Sequence, residues 1–120
     1  MKSLLLAFAL FTGVASAAGP DEAAFLAENE AAMNKMMAGM EIKPSGDVDR
    51  DFVAMMTPHH QGAIDMAQAV LRYGRNEQLR RLAQEIIVTQ QQEIAVMRMA
   101  VGDPLPPSAP SPTTPKHMEH

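Results

Sequence analysis

The chain has 120 residues, no cysteine, eleven methionines, four histidines and a formal net charge of −4. That length fits one small domain. The missing cysteine excludes a disulfide framework and any thiolate metal site, and the acidic balance disfavours nucleic acid, which is held through basic patches.

The first predicted element is a secretory signal over residues 1–17. Lys2 gives the charged start, Leu4 to Val14 the short apolar core, and Ala15-Ser16-Ala17 a small-residue cleavage site. The apolar run is too short for a stable transmembrane anchor; an uncleaved signal-anchor is the alternative. Cleavage would leave nine basic against fourteen acidic residues, a net charge of about −5. A periplasmic or secreted protein with no membrane span is therefore expected.

Gly19-Pro20 leads to Asp21, the expected N-cap of a first helix over Glu22 to Met40. Phe25, Leu26, Met33, Met36, Met37 and Met40 recur there at helical spacing. A methionine stripe of this kind is more often core than ligand; a secondary copper site using Met36 and Met40 is the functional alternative. Lys43-Pro44-Ser45-Gly46 breaks the pattern.

Asp47 is expected to cap a second helix that reaches about Tyr73, with Gly74 as its C′ residue. Pro58 falls inside it. The apolar phase is kept on both sides of Pro58, which favours one kinked helix, although a mid-helix proline costs about 3 kcal/mol. Thr57 as the N-cap of a fresh helix is the competing reading. At about 100° per residue, Phe52, Met55, Met56, Ala63, Met66 and Val70 lie within about 60° of His59, which places both histidines on the apolar half and His59 near its centre.

Asn76 is expected to cap a third helix from Glu77 to about Val101, ended by Gly102-Asp103-Pro104. Its buried arc is read as Leu79, Leu82, Ala83, Ile86, Ile94 and Met97, with Gln90 and Glu93 on the same stripe. A carboxylate there needs a partner. Residues 103–120 form a Pro/Ser/Thr-rich tail that cannot build a core and is expected to be disordered. Its His117, Met118 and His120 are a loose capture site or simply solvated.

The chemistry concentrates in Met55-Met56-Thr57-Pro58-His59-His60 and Met66. Thioether sulfur is a soft donor and imidazole a borderline one, a pairing that suits copper, above all Cu(I). Methionine also tolerates oxidising compartments better than a reactive thiol, although it can become the sulfoxide. Adjacent histidines diverge by about 100° on a helix, so two sites, or one ligand and one supporting group, are expected. His59 has Met55 four residues earlier and Met66 seven later; His60 has Met56 four earlier. Glu93 is expected to accept a hydrogen bond from an imidazole and fix its tautomer. The structural alternative is a buried histidine satisfied by Glu93, with methionine as core filler. No Glu-x-x-His pair for a di-iron site and no serine elbow is present, so no enzyme is expected.

Gly46-Asp47-x-Asp49-x-Asp51-Phe52 and Met56-x-Pro58-His59-His60-Gln61-Gly62-Ala63-Ile64-Asp65-Met66-Ala67 resemble the signature of the family called domain of unknown function 305. Leu82-Ala83-x-x-Ile86 and Gln90-x-x-Glu93-Ile94-x-x-Met97 match its later block, and the likeness covers about residues 30–100. The resemblance implies a ferritin-like helical bundle, usually exported. Its CopM-like members bind copper and silver in the periplasm and support metal tolerance. By resemblance, Met56, His59, His60, Met66, Glu93 and Met97 are the positions to carry over. The family often has a tryptophan shortly after the last methionine, whereas this chain has Ala100, a change expected to alter packing at the bundle end.

The resulting expectation is an all-α, ferritin-like antiparallel bundle of three main helices over residues 18–102, kinked near Pro58, with dimerisation able to cover a remaining apolar face. Its function is read as an exported copper or silver buffer or carrier. The metal set is Met55, Met56, His59, His60, Met66, Glu93 and Met97, with Met36 and Met40. Cu(I) is favoured over Cu(II), silver is a surrogate, and another periplasmic metal-handling protein is the expected exchange partner. The alternative is a metal-free helical interaction module with a Met-rich groove.

Overall fold

The computed structural model describes residues 19–105, so the predicted signal over 1–17 and the chain beyond Leu105, with His117, Met118 and His120, lie outside the described residues. Three helices account for most of it: α1 (Pro20–Met40), α2 (Val48–Tyr73) and α3 (Glu77–Ala100). Among the described residues there is no strand, and no helix is long and apolar enough to cross a membrane.

The ends of α2 and α3 follow their capping residues. The Asp47 carboxylate accepts from the backbone N–H of Asp49 and Arg50, and the Asn76 side chain accepts from Leu79 N–H. Each satisfies donors that the first turn leaves unpaired. Ser45 reinforces the start of α2: its hydroxyl donates to Asp51 Oδ1 at 2.6 Å and accepts from Asp47 N–H at 3.2 Å. Gly46, at φ 88°, supplies the left-handed residue of that turn.

The start of α1 differs from expectation. Gly19 is the N-cap and Pro20 opens the helix, because proline's missing N–H would be unpaired in the first turn anyway. Asp21 lies inside that turn and reaches Arg75 at 3.4 Å. Gly74 does end α2, but in extended backbone (φ −76°, ψ 150°) rather than as a left-handed C′ residue. The last carbonyls are covered instead by Arg80, which donates to the carbonyls of Leu71 at 2.7 Å and Gly74 at 3.1 Å.

α2 is the central helix. α1 and α3 each pack against it and not against each other. It runs unbroken through Pro58, which overturns the reading of a fresh helix capped by Thr57. The α2–α3 seam is the apolar core: Ile64, Ala67, Ala83, Ile87 and Ile94 are buried, with Val70, Leu71, Ile86 and Met97 packed around them. The α1–α2 seam is built from small residues. A Cβ on Gly39 would fall 2.7 Å from Pro58 Cβ, and one on Gly62 would fall 2.8 Å from Met36 Sδ. Two glycines therefore let the helices approach closely at those points.

Charged groups fasten the outer edge of that seam. The Glu28 carboxylate accepts from Arg72 Nε at 2.9 Å and from the Tyr73 hydroxyl at 2.8 Å, and Lys35 lies 3.5 Å from Asp65. The Arg72 hydrogen bond, with help from Tyr73, holds Glu28 below its ordinary value of 4.5. A lowered carboxyl contributes stability above its unfolded value and loses it as pH falls through the lower folded one. Glu28→Gln should therefore melt below the wild type at neutral pH, and the gap should close as the pH is lowered below 4.5. Melting curves across that range check the sign.

Two packing expectations are corrected. On α1, Met36 and Met40 are half-buried, but Met33 and Met37 are 39% and 58% exposed, so the stripe is not a continuous core. On α3, Leu79 and Leu82 are 56% and 48% exposed, and Ile87 is buried in their place. In both helices the apolar arc is wider than the strip its neighbour covers. The same holds for α2. With His59 as zero, the α3 side (His60, Ile64, Ala67, Leu71) lies at about +80° to +140° and the α1 side (Pro58, Gly62, Asp65) at about −60° to −120°. The arc between them, centred on His59, is left uncovered as the front face of the molecule. Its upper half is an apolar groove floored by Ala63, Met66 and Val70 and walled by Phe25 and Leu82.

Candidate metal centre

The histidines stand at the middle of α2, His59 on the front face and His60 on the α3 side, and do different things. His60 is half-buried against α3. Its Nδ1 lies 3.0 Å from the Met56 carbonyl, one turn back, and its Nε2 lies 2.5 Å from Glu93 Oε2. A carbonyl only accepts, so Nδ1 carries a proton. Glu93 Oε2 accepts from Nε2 whenever that nitrogen carries a proton. A cation taking Nε2 must displace the Glu93 contact and any proton held there.

His59 is exposed, which corrects its expected position at the centre of a buried arc. Its ring centroid is 6.0 Å from that of His60, with the planes tilted by 58°. Among the described residues it makes no hydrogen bond or ion pair. The physical reason is the open front face: the arc is apolar, but neither neighbouring helix crosses it.

The methionines divide between the two histidines. Met36 Sδ reaches from α1 onto Gly62. His59 lies three residues before Gly62 and Met66 four after, so all three neighbour one another on that side of α2. Met55, one turn before His59, is 37% exposed on the same arc. On the other flank, Met56 is one turn before His60, and Met97 is one turn after Glu93, packed at the end of the α2–α3 core. Met40 is half-buried one turn beyond Met36 on α1. The candidates thus form two groups: His59, Met36, Met66 and Met55 toward α1, and His60, Glu93, Met56 and Met97 toward α3.

The donor set limits the metals that fit. Among the described residues, no three His, Asp or Glu side chains lie close enough to hold an ion by themselves. A hard cation wants several oxygens, and no such group is found among the described residues. An ion that accepts thioether sulfur has several partners at hand. Met33 and Met37, the exposed methionines of α1, stand outside the predicted ligand set. The Glu28–Arg72–Tyr73 cluster was missed altogether, being joined across some forty residues of sequence.

No curated protein matches the chain. The family described as "Domain of unknown function (DUF305)" matches residues 10–101, and that match, spanning the Pro58-His59-His60 segment and both flanking helices, shows that the chain belongs to this family.

Proposed function

We propose that this protein binds a soft monovalent metal, copper(I) with silver as its surrogate, and serves as a non-enzymatic buffer or carrier in the periplasm or outside the cell. Cu(II) is the second choice of ion, and exchange with another metal-handling protein is the corresponding role. The observation that supports the reading is Met36 of α1 lying against Gly62, with His59 and Met66 each one turn from Gly62 along α2. Histidine and methionine supply the donors that Cu(I) prefers, and cysteine is absent. The exposed His59 gives an ion access from solvent, while His60 is oriented by the Met56 carbonyl and Glu93.

A second reading rests on the exposed apolar side chains of the front face, Phe52, Met55 and Leu82 among them. In that reading the face is a docking groove and the methionines are adaptable contact residues. A Cu(I) titration under reducing, anaerobic conditions against a chromophoric competitor separates the two. The metal reading expects the protein to withdraw copper from a competitor of micromolar affinity. Copper left wholly with the competitor would favour the docking module.

A further inference from the structure

The front face carries a group of exposed apolar side chains drawn from all three helices. Leu26, Met33, Met37, Phe52, Met55, Leu79 and Leu82 are all exposed, and helical spacing puts them on the front sides of their helices. Beneath them the buried core is thin: among the described residues Ile64, Ile87 and Ile94 are its large, nearly enclosed side chains, with alanines between them. Such a face marks an interaction surface.

We infer that its occupant is a second copy of the chain, packed face to face with the two α2 helices antiparallel. The evidence is a self-complementary register. Along the uncovered arc of α2, Phe52 and Val70 are equally distant from Gln61, as are Met56 and Met66, and His59 and Ala63. A two-fold axis lying in the plane of the face and crossing α2 at the level of Gln61 sets Phe52 against Val70 of the second copy, and Met56 against its Met66. It also sets the large His59 ring against its small Ala63. A self-complementary patch of this kind is what an isologous interface requires. α2 itself, Val48–Tyr73, is centred at nearly the same level, so the overlap uses its whole length.

Size and charge agree. A helix of about 39 Å, flanked on each side at an axial spacing of about 9 Å, offers a face on the order of 700 Å² per copy, close to the roughly 800 Å² per partner of a stable interface. The groove lining carries no charged side chain, so two acidic chains meet there without like-charge contact. Glu93, near the axis level, is already paired with His60. The dimer needs no metal. That its centre gathers the thioethers and imidazoles of both copies, so that Met66 of one approaches Met56 and His59 of the other, rests on the metal reading above.

The test is therefore run with chelator present, on the chain from residue 18 onward. Sedimentation equilibrium should give a dimer at micromolar concentration. Leu82→Glu should raise the dissociation constant at least tenfold with helical circular dichroism retained, whereas Val88→Glu, at a 37% exposed position about 120° round α3 from Leu82, should not. The chain has no native cysteine, so register is read from oxidative cross-linking. Phe52→Cys and Val70→Cys together should give a covalent dimer, and neither alone should. A monomer at tens of micromolar, a cross-link through Val70→Cys alone, or equal disruption by Val88→Glu would overturn the inference. Should Leu82→Glu lose its helicity, the cysteine pair decides. A monomer that still withdraws copper from the competitor would leave the metal reading standing and remove the dimer.

Discussion

Ile64→Ala should cost about 3 kcal/mol of stability, the largest loss expected from any single truncation here. Ile64 is 2% exposed and lies at the centre of the α2–α3 core with Ala67, Ala83, Ile87 and Ile94. Three of its buried neighbours across the seam come from α3, and two of the cluster are alanines with no side-chain length to fill a void. The cavity would stay open. In a small domain whose total stability is of order 5–15 kcal/mol, the melting temperature should fall by more than about 10 °C. Ile64→Val, which removes one methyl group, should cost only about 1 kcal/mol. Thermal and urea denaturation of both variants checks the ratio. Equal, small losses would mean that the seam relaxes and that the α2–α3 core is not what holds the fold.

Replacing His59 and His60 together by Gln should leave the metal-free protein folded and lower its copper or silver affinity at least tenfold, about 1.4 kcal/mol. His59 has no hydrogen bond among the described residues to lose, and Gln at position 60 keeps a donor for the Met56 carbonyl or the Glu93 carboxylate. The net cost of the changed hydrogen bonds is about 1 kcal/mol. The metal should also lose most of its stabilising effect on unfolding, since a ligand stabilises only through its preference for the native state. Metal-free melting and Cu(I) competition on the same double variant separate ligand from structural histidine. An unstable metal-free protein with unchanged copper affinity would assign both rings a packing role.

The helix count, the turn at Lys43–Gly46 and the caps at Asp47 and Asn76 were legible because each rests on a few neighbouring residues. The continuity of α2 through Pro58 was legible from the apolar phase on its two sides. A contact between Glu93 and an imidazole was expected, with the ring left open; the structure gives it to His60, and Glu93 itself is exposed rather than buried in the α3 arc. What periodicity could not say is which part of a wide apolar arc another helix covers. His59, Leu79 and Leu82 all lie on apolar faces, yet α1 and α3 sit on the flanks of α2 and leave that strip open. The same limit hid the ordering of α1. Its polar clamp from Glu28 to Arg72 and Tyr73 joins residues far apart in sequence, and its small-residue contacts at Gly39 and Gly62 depend on what faces them.

In the proposed function, mid-α2 offers thioether sulfur and imidazole nitrogen to one soft ion. X-ray absorption at the copper edge, on protein loaded with one equivalent of Cu(I), reads the donor atoms directly. Both sulfur and nitrogen are expected in the first coordination shell, with the sulfur contribution lost or reduced when Met36 and Met66 are replaced together by Leu. A shell of nitrogen and oxygen alone, unchanged by that double replacement, would contradict it.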